Sequence, residues 1–286
     1  MDASEIRRVG VVGAGLMGSG IAEVVARAGA EVTFVEGSPE LVRAGRDRID
    51  RSLREAARRG KLSEADREAA LARVTGADDL AALADHDLVV EAATEDPDAK
   101  RAIFARLGEL TGDDVVLASN TSSIPIAHLA QASGRPAMVV GIHFFNPVPV
   151  MPLVEVIPAA STAPQTLALA RAWAESLDKQ VVVSKDEAGF IVNRVLIPFV
   201  NDAIRLLDDG VATREDIDAA CRLGLGHPMG PLQLADLIGL DTVAAIGRVL
   251  ADANGDERLG PPPLLVRMVA EGSLGRKSGE GFYPYG

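Results

Sequence analysis

The chain has 286 residues, a formal net charge of −12 at pH 7, and 48% hydrophobic but only 3% aromatic side chains. This length predicts two domains of unequal size, and a core built mainly from aliphatic residues favours an α/β architecture over an all-β sandwich. The acidic balance excludes general attraction to nucleic acid, which depends on clusters of Lys and Arg.

The N-terminal segment has the pattern of a strand, a turn and a helix. Residues 6–13 are rich in β-branched side chains, and residues 16–28 follow with helical periodicity up to Gly29, where a helix would stop. A second strand over residues 31–36 completes a βαβ unit, which predicts parallel pairing of the two strands.

The rest of the first domain alternates between helical and apolar segments. Residues 39–72 are charged and helical, and Gly60 divides them into two helices. Short apolar runs of the kind that form buried strands follow up to about residue 184. This alternation predicts one doubly wound sheet domain over residues 1–186. The further strands are expected at residues 88–92, 115–119, 138–143, 154–156 and 181–183.

The pattern changes after residue 186, where helical stretches follow one another without a convincing strand. We therefore expect an all-helical domain over residues 187–286. One helical face is broad enough to pack on more than one partner, which predicts a homodimer formed through this domain, although an ordinary core would explain it equally well. That face consists of Ile191, Val195, Ile197, Val200 and Ile204, and the helices are expected at residues 190–208, 214–223, 232–250 and 263–271.

A glycine-rich turn joins the first strand to the first helix. Its sequence is Gly13-Ala14-Gly15-Leu16-Met17-Gly18, which matches the dinucleotide-binding pattern in the expected structural context. Gly13 permits the tight turn, Gly15 lets the backbone approach a pyrophosphate, and Gly18 lets the helix and strand pack closely. The N–H groups at the start of the helix attract the anion.

Glu36 ends the second predicted strand, where an acid would accept hydrogen bonds from an adenosine ribose. The same charge would repel a 2′-phosphate, so we expect NAD rather than NADP. Arg43 and Arg46 lie nearby in sequence and could reach the ribose, and a solvated strand-end acid is the alternative interpretation of Glu36.

A histidine and an acid in neighbouring predicted strands suggest catalysis. His143 ends a strand in Gly141-Ile142-His143-Phe144, and an imidazole can take the proton of an alcohol as hydride leaves the same carbon. Glu155 lies in a Val-rich strand, where a carboxylate would be costly without a partner. It could orient the imidazole, although spacing alone does not prove contact between them.

The loop Ser119-Asn120-Thr121-Ser122-Ser123 follows another predicted strand, at the edge where doubly wound sheets bind ligands. Ser122 or Ser123 could bind a substrate oxygen or the nicotinamide amide. The same residue types also cap helices, and a helix over residues 124–130 would give them that role instead.

At these residues the chain resembles the L-3-hydroxyacyl-CoA dehydrogenase family, especially the short bacterial 3-hydroxybutyryl-CoA dehydrogenases. The likeness spans nearly the whole chain. The resemblance implies a Rossmann-type NAD-binding domain followed by a helical substrate and dimerisation domain. The matching segments are GVVGAGLMGSGIA, LASNTSSIPI, GIHFFNPVPVMPLVEVI, GFIVNRVLIPF, DIDAACRLGLGHPMGP and LGRKSGEGFYPY.

The resemblance also implies roles for individual residues. His143 resembles the family's catalytic base and Glu155 its partner, while Ser122 and Asn193 resemble residues that contact the reacting oxygen and thioester region of the substrate. The remaining matches are an active-site and cofactor contact at Asn146, contacts near the ribose and nicotinamide at Glu95 and Lys100, and a more distant cofactor contact at Lys277.

Ser52 and Arg59 resemble positions that meet coenzyme A, which would give this acidic chain a local positive site. A solvated helix face is an equally good interpretation of this charge run. The chain departs from the family in having Glu36 where aspartate is frequent, and arginine along residues 51–59 where relatives often have lysine. The departures leave the cofactor and acyl-chain preference open.

Together these features predict reversible, NAD-dependent oxidation of an L-3-hydroxyacyl-CoA, with His143 as the general base, without a metal. The alternatives are a dehydrogenase of a free hydroxy or sugar acid on the same fold and a non-catalytic NAD-binding protein. The one cysteine, Cys221, cannot form an internal disulfide, and no cleavable signal or membrane-length apolar run is recognised. We therefore expect a cytoplasmic protein without a membrane partner.

Overall fold

The computed structural model describes residues 2–286 and divides into two compact units. The first unit ends at Glu187, and the second comprises Ala188–Gly286. The strands of the first unit are β1 (Arg8–Val12), β2 (Glu31–Val35), β3 (Val74–Ala77), β4 (Leu88–Glu91), β5 (Val116–Ser119), β6 (Val139–Phe144), β7 (Leu153–Pro158) and β8 (Gln180–Val183). Its helices are α1 (Leu16–Arg27), α2 (Pro39–Arg58), α3 (Glu64–Ala72), α4 (Pro97–Leu110), α5 (Ile126–Ala132) and α6 (Pro164–Ser176).

All eight strands form one sheet in the order β3-β2-β1-β4-β5-β6-β7-β8. Neighbouring strands are parallel except for β6 and β7, which are antiparallel. The chain passes from β6 to β7 without a helix, and so short a connection cannot return the strand in the parallel sense. The carboxyl ends of β1, β4, β5 and β6 therefore meet at one edge of the sheet, beside the start of β7.

The second unit is helical, and its helices are α7 (Val192–Asp208), α8 (Arg214–Gly224), α9 (Pro231–Ile238), α10 (Leu240–Asn254) and α11 (Pro263–Ala270). The predicted fold class, a doubly wound α/β domain followed by an all-helical one, is confirmed. Of the α7 face singled out above, Ile197, Val200 and Ile204 are buried in the core of this unit, whereas Val195 is 70% exposed. The helix thus contributes to a core and also presents an apolar side chain outward.

Two elements differ from the prediction. The edge strand β3 was missed, because its four residues include Gly76 and carry no run of apolar side chains. The single helix predicted over residues 232–250 is two helices, α9 and α10, separated at Gly239. Gly239 has φ of 103°, which a helix interior does not allow and which glycine adopts at little cost.

Gly108 provides a test of the packing between α4 and α5. A Cβ atom at this position would lie 1.9 Å from the carbonyl oxygen of Ser133, at the end of α5. We expect Gly108→Ala to lower the free energy of unfolding by ~1–3 kcal/mol through overpacking, measured by thermal denaturation. Gly37→Ala is the control, because nothing lies within 4 Å of the added atom. Equal melting temperatures for the two variants would contradict this account.

Candidate active site

The glycine-rich turn lies between β1 and α1 and has the geometry that its sequence predicts. Gly13 has φ of 88°, and an added Cβ atom would lie 2.8 Å from the Cα of Ala93, two residues after the end of β4. At Gly18 the added atom would lie 1.8 Å from the carbonyl oxygen of Gly13, so only glycine allows this helix and turn to pack. At Gly15 nothing lies within 4 Å. The space outside Gly15 and the N–H groups of the first turn of α1 fit a pyrophosphate.

Leu16 and Met17 open helix α1 in different environments. Leu16 is 65% exposed, and Met17 packs against the core of the sheet domain. Leu16 is therefore the more exposed of the two side chains that begin the helix.

Glu36 is held at the glycine turn rather than in open solvent. Its Oε1 atom accepts a hydrogen bond of 2.6 Å from the backbone N–H of Ala14. The guanidinium of Arg48 donates to the carbonyl oxygen of the same Ala14. This places a carboxylate beside the turn, where a bound ribose would meet it.

His143 and Glu155 form a buried pair across the antiparallel strands β6 and β7. The two residues are directly opposite in the strand register, and the His143 Nδ1 atom lies 2.7 Å from Glu155 Oε2. Side-chain exposure is 9% for the histidine and zero for the glutamate. The ring of Phe145 lies 4.6 Å from the imidazole ring, centroid to centroid. The contact that spacing could not prove is therefore present.

The loop after β5 is organised by Glu95. Its Oε1 atom accepts hydrogen bonds from the Thr121 hydroxyl at 2.5 Å, the Ser122 N–H at 2.9 Å and the Ser123 hydroxyl at 3.0 Å. The Ser122 hydroxyl lies 3.3 Å from the same oxygen. Neither serine caps α5, because the helix begins after Pro125 without a side-chain cap from its N-cap residue. The loop serines are therefore gathered around a carboxylate at the sheet edge.

Lys100 lies behind this loop and is almost fully buried. Its ammonium is 2.6 Å from Glu91 Oε1 and 3.4 Å from Glu95 Oε2. Burial acts to raise the pKa of Glu95, but the charge of Lys100 and the bonds from the loop outweigh it and lower that pKa. Glu95 therefore stays ionised at neutral pH.

Two asparagines lie near the ends of β5 and β6. Asn120 accepts a hydrogen bond of 2.8 Å from the backbone N–H of Phe144, which ties the two strand ends together. Asn146 follows β6, is exposed and precedes a cis peptide bond to Pro147. Asn146 thus lies beside the strand end that carries His143.

The two residues matched to coenzyme A contacts lie on and just after α2. Ser52 is exposed and lies beside Glu23, whose pKa is raised by burial. Arg59 shares Glu55 with Arg58, and these two bonds lower the pKa of Glu55 to about 2. The Arg59 side chain remains 67% exposed, so a phosphate can compete for it with Glu55.

The second unit holds the other two predicted residues. Asn193 is 8% exposed and lies in the first turn of α7. The Lys277 ammonium lies 2.6 Å from Asp241 Oδ2, and both side chains are partly exposed. Lys277 is therefore held by a carboxylate that the sequence did not single out.

Sequence reasoning missed Glu91 and Asp241, and it named Asn120 and Thr121 only as members of the loop after β5. For Glu91 a signal existed, because it ends the apolar run Leu-Val-Val-Glu, where a carboxylate would be buried. A buried carboxylate requires a partner, which is the argument already applied to Glu155. Asn120 and Thr121 lie in the loop already selected, but nothing in the sequence indicates which loop side chains form hydrogen bonds within the protein.

Among residues 2–286 no cluster of three or more His, Cys, Asp and Glu side chains could hold a metal ion. Within the same residues, no helix has the length and apolar character needed to cross a membrane.

A doubly wound sheet with a glycine turn, and a histidine–glutamate pair at the same edge, are typical of dehydrogenases that bind a dinucleotide. The chain belongs to the 3-hydroxyacyl-CoA dehydrogenase family. Residues 8–187 match the family model described as "3-hydroxyacyl-CoA dehydrogenase, NAD binding domain", and residues 189–285 match its "C-terminal domain".

Individual relatives agree with this assignment. A 3-hydroxybutyryl-CoA dehydrogenase of Mycobacterium tuberculosis is 52% identical over 282 residues, covering 98% of this chain and 99% of the relative. The crystal structure of M. tuberculosis FadB2 superposes with a TM-score of 0.97 at 51% identity, covering 98% and 99% of the two chains. That of (S)-3-hydroxybutyryl-CoA dehydrogenase PaaH1 from Ralstonia eutropha gives 0.94 at 44% identity, covering 99% and 100%.

The open space outside Gly15 predicts that a substitution there weakens cofactor binding without destabilising the fold. In Gly15→Ala the added methyl group meets no protein atom within 4 Å, but it occupies the space that a pyrophosphate needs. We expect NADH binding, followed by fluorescence titration, to weaken at least tenfold while the melting temperature stays within 2–4 °C, the shift that ~1 kcal/mol produces in a unit of this size. An unchanged dissociation constant would show that the dinucleotide does not approach Gly15.

Proposed function

We propose that the protein is an NAD-dependent dehydrogenase that interconverts a short-chain L-3-hydroxyacyl-CoA, such as 3-hydroxybutyryl-CoA, and the 3-ketoacyl-CoA. The observation that carries this proposal is the 2.7 Å contact between His143 and Glu155 at the sheet edge that also bears the glycine turn. Family membership and relatives named for 3-hydroxybutyryl-CoA support the thioester as the substrate. The Glu36 carboxylate beside the turn supports NAD over NADP, because it would repel a 2′-phosphate.

His143 is the proton acceptor in this proposal. Its Nδ1 atom faces the Glu155 carboxylate, so the proton of the neutral ring resides on Nδ1 and Nε2 is the basic atom. Nε2 takes the proton of the C3 hydroxyl, and Glu155 stabilises the resulting imidazolium. Bound NAD would supply the hydride acceptor for the same carbon. In the reverse direction the imidazolium returns the proton to the ketone oxygen while C3 would regain the hydride from the reduced cofactor.

Other residues would bind the cofactor and the substrate and orient them for the reaction. Gly13, Gly15 and Gly18, with Leu16 and Met17, would form the pyrophosphate and nicotinamide side of the cofactor site, and Glu36 the adenosine ribose side. Ser122 and Asn193 would contact the substrate's reacting oxygen and thioester region. Further roles are proposed for Glu95, Lys100, Asn146 and Lys277 towards the cofactor, for Asn146 also towards the substrate, and for Ser52 and Arg59 towards coenzyme A.

The central test is NADH oxidation with acetoacetyl-CoA. We expect turnover by the wild-type protein with acetoacetyl-CoA but not with acetoacetate, and a preference for NADH over NADPH. His143→Gln should lower kcat by ~10²–10⁴-fold, the contribution of a general acid or base, while NADH still binds. The control is His128→Gln, an exposed histidine on α5, which should be as active as the wild type.

Glu155→Gln completes this test. An amide that donates to Nδ1 would move the ring proton to Nε2, and that tautomer cannot accept the substrate proton. We therefore expect a loss of kcat comparable to that of His143→Gln, with little change in KM. The proposal fails if the wild type reduces no 3-ketoacyl-CoA of any length, or if both variants keep their activity.

The assembly and location are also proposals. The second unit exposes apolar side chains, with Leu223 83%, Val195 70% and Leu225 60% exposed, which supports a homodimer formed through this unit. The lone cysteine, which cannot close an internal disulfide, supports a cytoplasmic location.

The dimer is tested by introducing charged residues into its proposed interface. We expect the wild type to have twice the 29.9 kDa chain mass by light scattering, and Val195→Glu/Leu223→Glu to be monomeric, because two buried carboxylates would oppose association. Val182→Glu, at a 37% exposed position on the edge strand β8, should leave the mass unchanged. A monomeric wild type, or a double variant that stays dimeric, would contradict the proposed interface.

A further inference from the structure

Glu91 is a fully buried carboxylate that ends β4 one strand away from the glycine turn. Its Oε1 atom accepts hydrogen bonds from the Ala93 N–H at 2.7 Å and the Lys100 ammonium at 2.6 Å. Its Oε2 atom accepts from the same ammonium at 2.8 Å and from the Ser119 hydroxyl at 2.7 Å. Each oxygen thus has two donors, and the group is held from β4, β5 and α4 at once.

Lys100 has a single positive charge and lies near two carboxylates, those of Glu91 and Glu95. Its side chain is 1% exposed, and the ammonium lies 2.6 Å from Glu91 and 3.4 Å from Glu95. A buried ammonium is strongly unfavourable unless it is paired in good geometry, and Glu91 satisfies this requirement. The remaining interaction with Glu95 therefore depends on where Glu91 holds the ammonium.

Glu95 divides its two oxygens between this ammonium and the loop. Oε2 faces Lys100, and Oε1 accepts the bonds from Thr121, Ser122 and Ser123. Ser119 also links the two parts, because its hydroxyl donates to Glu91 and accepts from the N–H of Thr121. A displacement of Lys100 would therefore reach the loop through Glu95 and through Ser119.

We propose that Glu91 is a positioning residue for this dehydrogenase: it fixes the Lys100 ammonium, which orients Glu95, which in turn places the Ser122 hydroxyl for ligand binding. The proposal rests on the role given above to the loop after β5. A simpler interpretation is that Glu91 only neutralises a buried lysine. The two interpretations differ in what happens when charge is retained but geometry is changed.

The test compares Glu91→Gln and Glu91→Asp with the wild type. In Glu91→Gln the only carboxylate left beside Lys100 is Glu95, which is drawn towards it and releases the serines. We expect NADH affinity to weaken several-fold and kcat/KM to fall at least tenfold, at temperatures where the variant is folded. Glu91→Asp keeps the charge but is one methylene shorter, so it should be folded and also show at least a threefold loss of kcat/KM.

Asp218→Asn is the matched control for stability. Asp218 is a buried acid of the second unit that accepts hydrogen bonds from the backbone of Leu232 and Gln233. Its isosteric replacement should lower the melting temperature without lowering kcat/KM of the folded protein. The proposal is overturned if Glu91→Gln, while folded, binds NADH and turns over within twofold of the wild type. It is also overturned if Glu91→Asp has wild-type kinetics.

A second variant keeps the test decisive if Glu91→Gln does not fold. Glu91→Gln/Lys100→Met removes both charges and leaves none unpaired, so folding should be recovered. Without Lys100 the pKa of Glu95 rises, so Glu95 becomes protonated and activity is lost as the pH falls. The profile is measured for the reduction of acetoacetyl-CoA by NADH, in which protonated His143 is the proton donor and sets no acid limb. We expect an acid limb that the wild type lacks in this direction, and a flat profile with full activity would overturn the proposal. NADH titration needs no substrate, so these outcomes are separate from a failure of the acetoacetyl-CoA assay.

Discussion

The contact between His143 and Glu155 depends on the one antiparallel pairing in the sheet. Because β7 runs back along β6, it places a carboxylate directly opposite the histidine near the ligand-binding edge. A parallel strand would have required a helical crossover before returning to that edge. The short connection of residues 145–152 therefore sets the topology and, in the function proposed above, also serves catalysis. It gives the imidazole a buried carboxylate partner, which in the proposed mechanism would fix the ring tautomer.

Carboxylates play the same physical part at three places on this edge. Glu36 holds the N–H of Ala14, Glu91 holds the ammonium of Lys100, and Glu155 holds the imidazole of His143. In each case the carboxylate lies at or near a strand end and is within hydrogen-bond distance of a nitrogen atom on another segment. Burying a carboxylate is unfavourable unless such donors are present. A buried acid in a strand therefore indicates that a donor lies next to it. The site is therefore organised by pairs, each of which joins different segments of the chain.

The sequence predicts the parts of this architecture that depend on local pattern. The glycine turn, the helical second domain and the strands that bear His143 and Glu155 follow from residue type and periodicity. The strand β3 and the break at Gly239 do not, because a short edge strand has little apolar signal and a single glycine within an apolar stretch is ambiguous. The network around Glu91 was missed for a different reason. It joins residues from β4, α4 and β5, whose proximity is a property of the folded sheet.

The bond between Glu36 and Ala14 has a consequence for redesign of coenzyme preference. Removing this carboxylate to admit a 2′-phosphate would also remove the acceptor for a backbone N–H of the phosphate-binding turn. The proposed ribose contact and the observed bond to Ala14 cannot be altered separately by truncating the side chain of Glu36. An engineered NADP-specific version would need a neutral residue that still accepts from Ala14, together with a cation supplied from α2. In the proposed cofactor site, recognition of the sugar and rigidity of the loop are thus linked through a single side chain.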